Sequence, residues 1–252
     1  MGTSSIFDGN KDKNSLLPAD YTGQSENDEK NVTWKSAKTN MSKYITSGGK
    51  QGSANHIIRQ AIKANGGAHR MVMNSSSGVR AARNIGGLFS NIRENGISAT
   101  FQQLGIQYAG KSVREIFSHL INVIAPASET KEDIVAREAS QAALSNVYDY
   151  VVENNMDLNC VEYMPIEVMD ISMKAFLTEY IWGSVMKDLE CRVEKYMEDV
   201  SSAFEREKEI KDTIESVVDV EYDNHGSLIQ GDVNEAVSKL TERCFEVLEG
   251  II

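Results

Sequence analysis

The chain has 252 residues, of which 41% are hydrophobic and 25% charged, and its formal net charge at pH 7 is −11. A chain of this length can bury one large or two modest cores. Its composition of only three prolines and eighteen glycines excludes collagen-like or proline-rich polymers. The mean hydropathy of −0.35, together with the lack of any run of about 18 apolar residues, excludes an integral membrane protein. No basic and apolar leader opens the sequence, so we expect a cytoplasmic protein that does not engage a membrane.

The first 31 residues differ in composition from the rest of the chain. Only seven of them are apolar, and most of the others are Asn, Asp, Lys, Ser, Gly and Thr. Such a stretch cannot offset the roughly 1–2 kcal/mol per residue that ordering its backbone costs. We therefore expect a flexible N-terminal tail over residues 1–31, with Ile6-Phe7 and Leu16-Leu17-Pro18 as apolar anchor points for a partner. An inert tail is the alternative that composition leaves open.

Charge divides the remaining residues into two segments. Residues 30–125 contain thirteen Lys or Arg and two acids, a net charge of +11. Residues 126–252 contain eleven Lys or Arg and twenty-nine acids, a net charge of −18. We therefore divide the chain into the tail, a basic glycine-rich helical segment over 32–125 and an acidic long-helix segment over 126–252. Such a chain can attract a polyanion to its basic half, or pair its halves with each other or with other proteins.

Short amphipathic helices are predicted throughout the basic segment. Apolar residues recur at helical spacing in five runs: Trp34, Ala37, Met41 and Tyr44; Ile57 or Ile58 with Ala61 and Ile62; Val79, Ala82, Ile85, Phe89 and Ile92; Ile97 to Leu104; and Val113, Ile116, Phe117, Leu120 and Ile124. The pairs Gly48-Gly49 and Gly66-Gly67 are typical of tight turns between helices. Gly86-Gly87 instead falls inside a helical run, where small residues would let another helix approach closely. Ser112 and Glu115 form a capping box that starts the last of these helices.

Long amphipathic helices are predicted in the acidic segment. Thr130 is a helix cap, Pro165 opens a second helix, and a polar loop around Asn224-His225-Gly226 precedes the last one. The apolar stripes are Val135, Ala139, Ala143, Val147 and Tyr150; Leu177, Ile181, Val185, Leu189, Val193 and Tyr196; Val200, Phe204, Ile210, Ile214 and Val217; and Val233, Val237, Leu240, Cys244, Val247 and Leu248. No convincing stretch alternates with the period of two that β-strands show, so the predicted fold is all-α, a multi-helix bundle with a disordered N-terminal tail.

The sequence carries no recognisable catalytic or metal-binding motif. Cys160, Cys191 and Cys244 lie far apart, which excludes a paired-cysteine zinc or redox site and indicates a reducing cytoplasm, with Cys244 as a buried thiol. The four histidines lack metal-ligand spacing, and residues 48–53 have neither the order nor the preceding strand of a phosphate-binding loop. We therefore predict a protein that is not an enzyme, with no catalytic residue, no metal site and no cofactor.

Basic residues crowd the first helices, and a nucleic-acid surface is one interpretation of them. Lys35, Lys38, Arg59, Arg80 and Arg83 are the candidates to contact phosphates. Aromatic residues are sparse in this segment, so base stacking would contribute little. The alternative is that these cations face the acidic half of the chain or an acidic partner.

Several short motifs occur together, in a fixed order, over most of residues 1–150. They are Met1-Gly2-Thr3-Ser4-Ser5, Leu16-Leu17-Pro18, Trp34-Lys35-Ser36-Ala37-Lys38, Ser47-Gly48-Gly49, Asn65-Gly66-Gly67-Ala68, Gly78-Val79-Arg80-Ala81-Ala82, Ile85-Gly86-Gly87-Leu88-Phe89-Ser90, Leu104-Gly105-Ile106, Gly110-Lys111-Ser112, Ile124-Ala125-Pro126 and Ala136-Arg137-Glu138-Ala139. In order and spacing the set resembles the QatB family, the small component of bacterial Qat anti-phage defence systems. The resemblance implies a multi-gene system with an ATPase (QatA), a QueC-like enzyme (QatC) and a TatD-like nuclease (QatD). QatC would be the direct partner of this chain.

The resemblance also implies a role for the tail. QueC enzymes activate the carboxylate of a 7-deazaguanine by adenylation and give it to an amine, and by family analogy a QatB protein would be the protein substrate of QatC. Removal of Met1 would leave Gly2 as an unhindered α-amine, and α-amines have a pKa of about 8 against about 10.4 for lysine. We expect residues 2–18 to enter QatC, with Gly2 as the modified residue. The expected contacts with QatC are Thr3, Ser4, Ile6, Phe7, Leu16, Leu17 and Pro18.

The sequence thus leaves three functions open. The first is a substrate or adaptor bound by QatC. The second is a nucleic-acid adaptor that uses the basic segment to bring the defence complex to phage DNA. The third is a purely structural scaffold, for which residues 2–18 would be dispensable.

Overall fold

A computed structural model describes residues 32–107, 110–126, 130–153, 164–189, 200–226 and 233–250. Within these ranges every regular element is an α-helix, so the predicted all-α class is confirmed. The helices are α1 (Trp34–Thr46), α2 (Ala54–Ala64), α3 (Ala68–Met73), α4 (Ser76–Gln103), α5 (Val113–Ile124), α6 (Lys131–Glu153), α7 (Ile166–Met186), α8 (Val200–His225) and α9 (Val233–Glu249). None of the helices described is long and apolar enough to cross a membrane.

Some of the sequence predictions fall outside the described residues. These are the tail over residues 1–31 and the positions Cys160, Cys191, Val193 and Tyr196. They stay predictions.

Polar side chains cap the starts of α1, α2, α5 and α6. The Thr33 hydroxyl accepts from the Ser36 N–H at 3.2 Å, and the Ser36 hydroxyl oxygen accepts from the Thr33 N–H at 3.1 Å. At the start of α5 the Glu115 carboxylate accepts from the Ser112 N–H at 2.8 Å, and this bond and that from the Ser112 hydroxyl lower the pKa of Glu115. The Thr130 hydroxyl accepts from the Asp133 N–H, in the first turn of α6, at 3.1 Å. Because these side chains pair N–H groups that the first turn leaves open, the predicted caps at Ser112 and Thr130 are confirmed.

Glycines with a positive φ angle bend the chain at several points of the basic segment, among them the end of α2 and the middle of α4. Gly66 and Gly67 follow α2 with φ angles of 97° and 92°, a conformation that a side chain would strain. The Gly67 N–H donates to the Ile62 carbonyl at 3.0 Å and closes the end of α2. Inside α4, Gly96 has a φ angle of 81° and kinks the helix. The residues after this kink form the separate short helix that the sequence predicts.

An apolar core runs through the described helices. α6 and α7 pack along each other more extensively than any other pair, and α9 packs on α2, α3 and α4. Most of the predicted stripe residues are buried, among them Met41, Ile58, Ile85, Ala139 and Ile181, whose exposed fraction is 0%. Full burial of a large aliphatic side chain stabilises the fold by about 1.5–3 kcal/mol. The apolar stripes are therefore the main source of stability.

The stripe predicted for α8 is wrong at one residue. The described residues leave 66% of Phe204 exposed, although its position suggests the buried face. The face that is buried runs through Ile210, Ile214, Val218 and Tyr222, each four residues after the last. Phe204 lies off this line, because repeated steps of four select one narrow stripe of a helix.

The close helix approach predicted at Gly86-Gly87 does not occur at Gly87, and other glycines of the described helices do make close approaches. Nothing lies within 4 Å of the position that a Cβ would take at Gly87, so the prediction is wrong for this residue. The close approaches lie at Gly78 in α4, against the ring of Tyr180 in α7, and at Gly183 in α7, against Val135 in α6. A Cβ on Gly183 would lie 2.7 Å from Val135 Cγ1, which is closer than packed carbon atoms approach. These glycines let α7 sit tightly against α4 and α6.

Helices of the acidic half pack directly on helices of the basic half. α8 contacts α1 and α2, and α9 contacts α2, α3 and α4. Both charge segments therefore contribute side chains to shared helix contacts. The division at residue 125 describes the charge of the chain, and as a domain boundary it stays a prediction.

Candidate functional site

The tail residues predicted to contact QatC lie outside the described part of the chain. They are Gly2, Thr3, Ser4, Ile6, Phe7, Leu16, Leu17 and Pro18, all of which precede residue 32. Their roles as acceptor and anchors stay predictions, and the contacts below concern the folded residues that follow.

The five basic candidates for nucleic-acid contact occupy three helices. Lys35 and Lys38 lie on α1, Arg59 lies on α2, and Arg80 and Arg83 lie on α4. Lys38 Nζ lies 5.8 Å from the centroid of the Trp34 ring, within the range of a cation–π contact. The Arg59 guanidinium lies against Gly250, where an added Cβ would be 2.8 Å from Arg59 Cζ. Lys38 and Arg59 therefore already contact other residues of the fold.

Arg80 is committed to a contact inside the protein. Its Nη2 atom lies 3.2 Å from Asp133 Oδ1 of α6. Lys35, Arg59 and Arg83 are exposed and form no ion pair with any residue that the structure describes. Sequence spacing gave no sign of the Arg80 partner, which lies 53 residues along the chain. This pair fits the alternative interpretation, in which cations of the basic segment face the acidic half of the chain.

A half-buried carboxylate closes the start of α4. Glu132 Oε1 accepts from the N–H groups of Ser77 and Gly78 at 2.8 and 3.1 Å, and from the Tyr180 hydroxyl at 3.1 Å. The first N–H groups of a helix attract anions, so α6 supplies a carboxylate where α4 begins. Burial is the main cause that raises the pKa of Tyr180, and the charge of Glu132 raises it further. Glu132 is not predictable from the sequence, because the only local signal is an acidic residue after a helix cap.

A second polar cluster joins α1 to α8. The Tyr44 hydroxyl donates to Glu209 Oε2, and Arg206 Nη1 lies 2.5 Å from Glu209 Oε1. Arg206 Cζ lies 5.9 Å from the centroid of the Tyr44 ring. Burial, and then the hydrogen bond to Glu209, raise the pKa of Tyr44, so its hydroxyl keeps its proton to a higher pH than a free tyrosine does. The cluster holds an acidic-half helix against the first helix of the basic half.

Salt bridges join α7 to α8. Lys174 Nζ lies 2.7 Å from Asp223 and 3.4 Å from Asp219, and Lys211 of α8 pairs with Glu179 of α7. Burial lowers the pKa of Lys174, but the hydrogen bonds to the two aspartates outweigh it, and the net shift is upward. Several acids of the acidic half therefore serve to hold helices together.

The described side chains offer no candidate metal centre. They include no group of three or more His, Cys, Asp or Glu that could hold a metal ion. Cys244 is fully buried, and burial is the main cause that raises the pKa of its thiol to about 12. The thiolate that would act as a nucleophile is therefore rare at neutral pH. The prediction that Cys244 is a buried structural thiol is confirmed.

These features define the chain as an all-helical protein whose described polar clusters join one helix to another. A family model matches residues 66–248, and its description is Qat anti-phage system associated protein QatB. The chain therefore belongs to the QatB family, and this membership implies a role in Qat anti-phage defence. The match continues into α9, well beyond the motifs that carry the resemblance. No significant match was found among curated proteins or among solved structures.

Proposed function

We propose that the chain binds the QueC-like enzyme QatC and presents its N-terminal tail as the substrate, with Gly2 as the acceptor once Met1 is removed. Membership of the QatB family is the observation that carries this proposal, because it implies that the chain functions together with other components of a Qat system. In this proposal the folded helices act as the carrier that docks on QatC. The ATPase QatA and the nuclease QatD are the further partners of the same system.

The proposed reaction joins the Gly2 nitrogen to an activated carboxylate. QatC first transfers AMP from ATP to the carboxylate of a 7-deazaguanine and releases pyrophosphate. The uncharged amine of Gly2 then attacks the carboxyl carbon, so that an amide bond forms, AMP leaves and the nitrogen gives up a proton. An α-amine suits this step because its pKa is about 8, whereas that of a lysine is about 10.4. Gly2 also has no Cβ to crowd a narrow active site.

The composition of the tail supports its role as a ligand. Only seven of its 31 residues are apolar, and four of these form the pairs Ile6-Phe7 and Leu16-Leu17. An extended chain covers about 50 Å between Gly2 and Leu17, which is enough to enter a deep active site while the leucine pair stays at the entrance. The two apolar pairs are therefore the anchors of the tail in this proposal.

Co-expression of the full chain with QatC tests the proposal. We expect loss of Met1 and the added mass of a deazaguanine amide on Gly2 only in cells that contain QatC, measured by intact mass and by fragmentation of the N-terminal peptide. Gly2→Glu should abolish the added mass, because Met1 is retained before a large residue. Gly9→Glu places the same change elsewhere in the same tail and serves as the matched control.

Two outcomes would count against this function. A chain that co-purifies with QatC but shows only the loss of Met1 would contradict the modification. A chain that lacks residues 2–18 and still protects cells against phage would favour the purely structural scaffold instead.

We infer a second candidate function, that of a nucleic-acid adaptor, from the exposed cations of the basic segment. Lys35, Arg59 and Arg83 are exposed and have no ion-pair partner among the described residues. Their exposure supports contact with a polyanion, whereas the pairing of Arg80 with Asp133 weakens that interpretation for Arg80.

A further inference from the structure

A groove of about 390 Å³ runs between α5 and α6. Its floor is apolar and consists of Phe117 and Ile121 from α5 and Leu144 and Tyr148 from α6. The rings of Phe117 and Tyr148 meet edge to face, with centroids 5.6 Å apart. None of these side chains takes part in the polar clusters described above, so the groove is a separate feature of the surface.

A guanidinium group lies toward each end of this groove. Arg137 is held at one end, because its Nη2 donates to Asn122 Oδ1 at 2.8 Å and its Nη1 donates to the Ala125 carbonyl. Arg114 lies toward the end where Phe117 meets Tyr148, is exposed, and has no ion-pair partner among the residues described. Arg114 and Asn122 are eight residues apart on α5, which corresponds to about 12 Å along the helix axis.

The charge of the groove contrasts with that of the chain around it. α6 belongs to the segment with a net charge of −18, yet no acidic side chain is among the described residues that line the groove. Two arginines in a net acidic protein create a local positive field that attracts an anionic ligand. Arginine also pairs with carboxylates through two parallel hydrogen bonds, which gives direction as well as attraction.

We propose that this groove binds an extended acidic peptide segment of a partner protein, in which two carboxylates flank an aromatic side chain. In an extended peptide every second side chain points the same way, so residues one and five lie about 13 Å apart on one face with residue three between them. This spacing matches the two arginines, and it places the aromatic ring on the floor beside Phe117 and Tyr148. The proposed recognition sequence is Asp-x-Phe-x-Asp, where x is any residue.

The polar rim of the groove favours a peptide as the occupant. Ser118 and Asn122 line one side, and Gln141 and Ser145 line the other. Hydroxyl and amide side chains can pair with both the N–H and the C=O groups of a peptide backbone. The folded helices alone form the groove, so peptide binding there does not depend on modification of Gly2.

A peptide array probed with the full-length chain tests the proposal. One set of peptides carries Asp-x-Phe-x-Asp with randomised x, a second carries Lys-x-Phe-x-Lys, and a third carries Asp-x-Ser-x-Asp. We expect binding to the first set only, and we then measure the affinity of its strongest member by fluorescence anisotropy. Arg114→Glu and Ser145→Glu should each weaken binding about tenfold or more, because each places a negative charge beside the peptide carboxylates.

Matched controls make the result specific to the groove. Arg93→Glu on α4 and Ser201→Glu on α8 make the same changes at exposed positions elsewhere and should leave the affinity within twofold. Circular dichroism of Arg114→Glu shows whether the variant is folded. Equal binding of the acidic and basic sets, no binding to the first set, or an unchanged affinity of folded Arg114→Glu would each overturn the proposal. Binding of a single-stranded oligonucleotide that Arg114→Glu abolishes, without peptide binding, would overturn it in favour of a nucleic-acid site.

Discussion

The ring of Tyr180 lies directly over Gly78, and a Cβ built on Gly78 would lie 2.6 Å from Tyr180 Cε1. α4 and α7 therefore touch at a point where only a hydrogen atom fits. Tyr180 cannot move aside freely, because its hydroxyl donates to Glu132 at 3.1 Å and its ring stacks on Phe176 with centroids 5.9 Å apart. Gly78, Tyr180 and Glu132 thus form one assembly that joins three helices.

Gly78→Ala should destabilise the fold, because the new methyl group overlaps the ring of Tyr180. We expect the free energy of unfolding to fall by about 1–3 kcal/mol, the usual cost of overpacking a core. Urea denaturation followed by circular dichroism measures the change. The matched control is Gly87→Ala in the same helix, where a Cβ meets nothing within 4 Å. Since alanine is the better helix former, the control should raise the free energy of unfolding by up to about 1 kcal/mol. Equal losses in the two variants would contradict the contact at Gly78.

Removal of the Glu132 carboxylate should destabilise the same region. Glu132→Ala takes the shared acceptor from two backbone N–H groups at the start of α4 and from the Tyr180 hydroxyl. We expect the free energy of unfolding to fall by about 1–3 kcal/mol or more, because buried donors are left without partners. Glu132→Gln keeps one acceptor oxygen and should lose less.

Glu138→Ala on the same helix is the control for this prediction, because Glu138 is exposed. Its free energy of unfolding should stay within about 0.5 kcal/mol of the parent chain. A Glu132→Ala variant as stable as this control would show that the three donors find other partners.

The thiol of Cys244 should be unreactive in the folded protein. Burial raises its pKa to about 12, so that only about one molecule in 10,000 carries the thiolate at pH 8, whereas a free cysteine with a pKa of about 8.5 is roughly one quarter ionised. In a chain carrying Cys160→Ser and Cys191→Ser, we expect iodoacetamide to modify Cys244 in urea but not in native buffer at pH 8. Rapid modification without denaturant would contradict the buried position.

The raised pKa of Cys244 also predicts how stability depends on pH. The thiol ionises near pH 8.5 in the unfolded chain and near pH 12 in the folded one, so the folded state holds its proton more tightly. The stabilisation is fully present below about pH 8.5 and is lost as pH rises from there toward about 12. Cys244→Ala should remove this part of the alkaline loss of stability, which urea denaturation at pH 7 and pH 10 can measure. An unchanged difference between the two pH values would contradict it.

Local signals in the sequence predicted the elements of the fold well. The caps at Ser112 and Thr130 and the buried stripe positions Met41 and Ile181 depend only on residues within a few turns, so spacing and side-chain type indicate them. The glycine turn at Gly66-Gly67 is local in the same sense.

The contacts between helices could not be predicted in this way. Tyr180 meets Gly78, and Arg80 meets Asp133, across long stretches of chain that spacing alone does not connect. Spacing also did not distinguish Gly87, where no close approach occurs, from Gly78, where one does, because only the path of α7 separates the two. The groove between α5 and α6 escaped sequence analysis for the same reason, since its two arginines lie on different helices.

Charge reversal at Lys35 and Arg83 should separate the two proposed functions. Both side chains are exposed and form no ion pair within the described ranges, so Lys35→Glu with Arg83→Glu should leave the fold intact. We expect the double variant to co-purify with QatC at about 0.5 M salt, where exposed charges are strongly screened, and to be modified at Gly2 like the parent chain. Intact mass measures the modification, and a phage challenge measures protection.

If the chain is instead a nucleic-acid adaptor, the same double variant should lose DNA contacts. If the cations contact phosphates, the logarithm of the binding constant falls with the logarithm of the salt concentration by about 0.9 for each contact, so the double reversal should lower that slope by about two. Lys208→Glu with Lys239→Glu makes the same charge change on exposed residues of the acidic half and should leave the slope unchanged. The first variant alone would then lose both DNA binding and phage protection while Gly2 is still modified. That outcome would assign the essential function to the basic segment, because modification of the tail would then not be sufficient for protection.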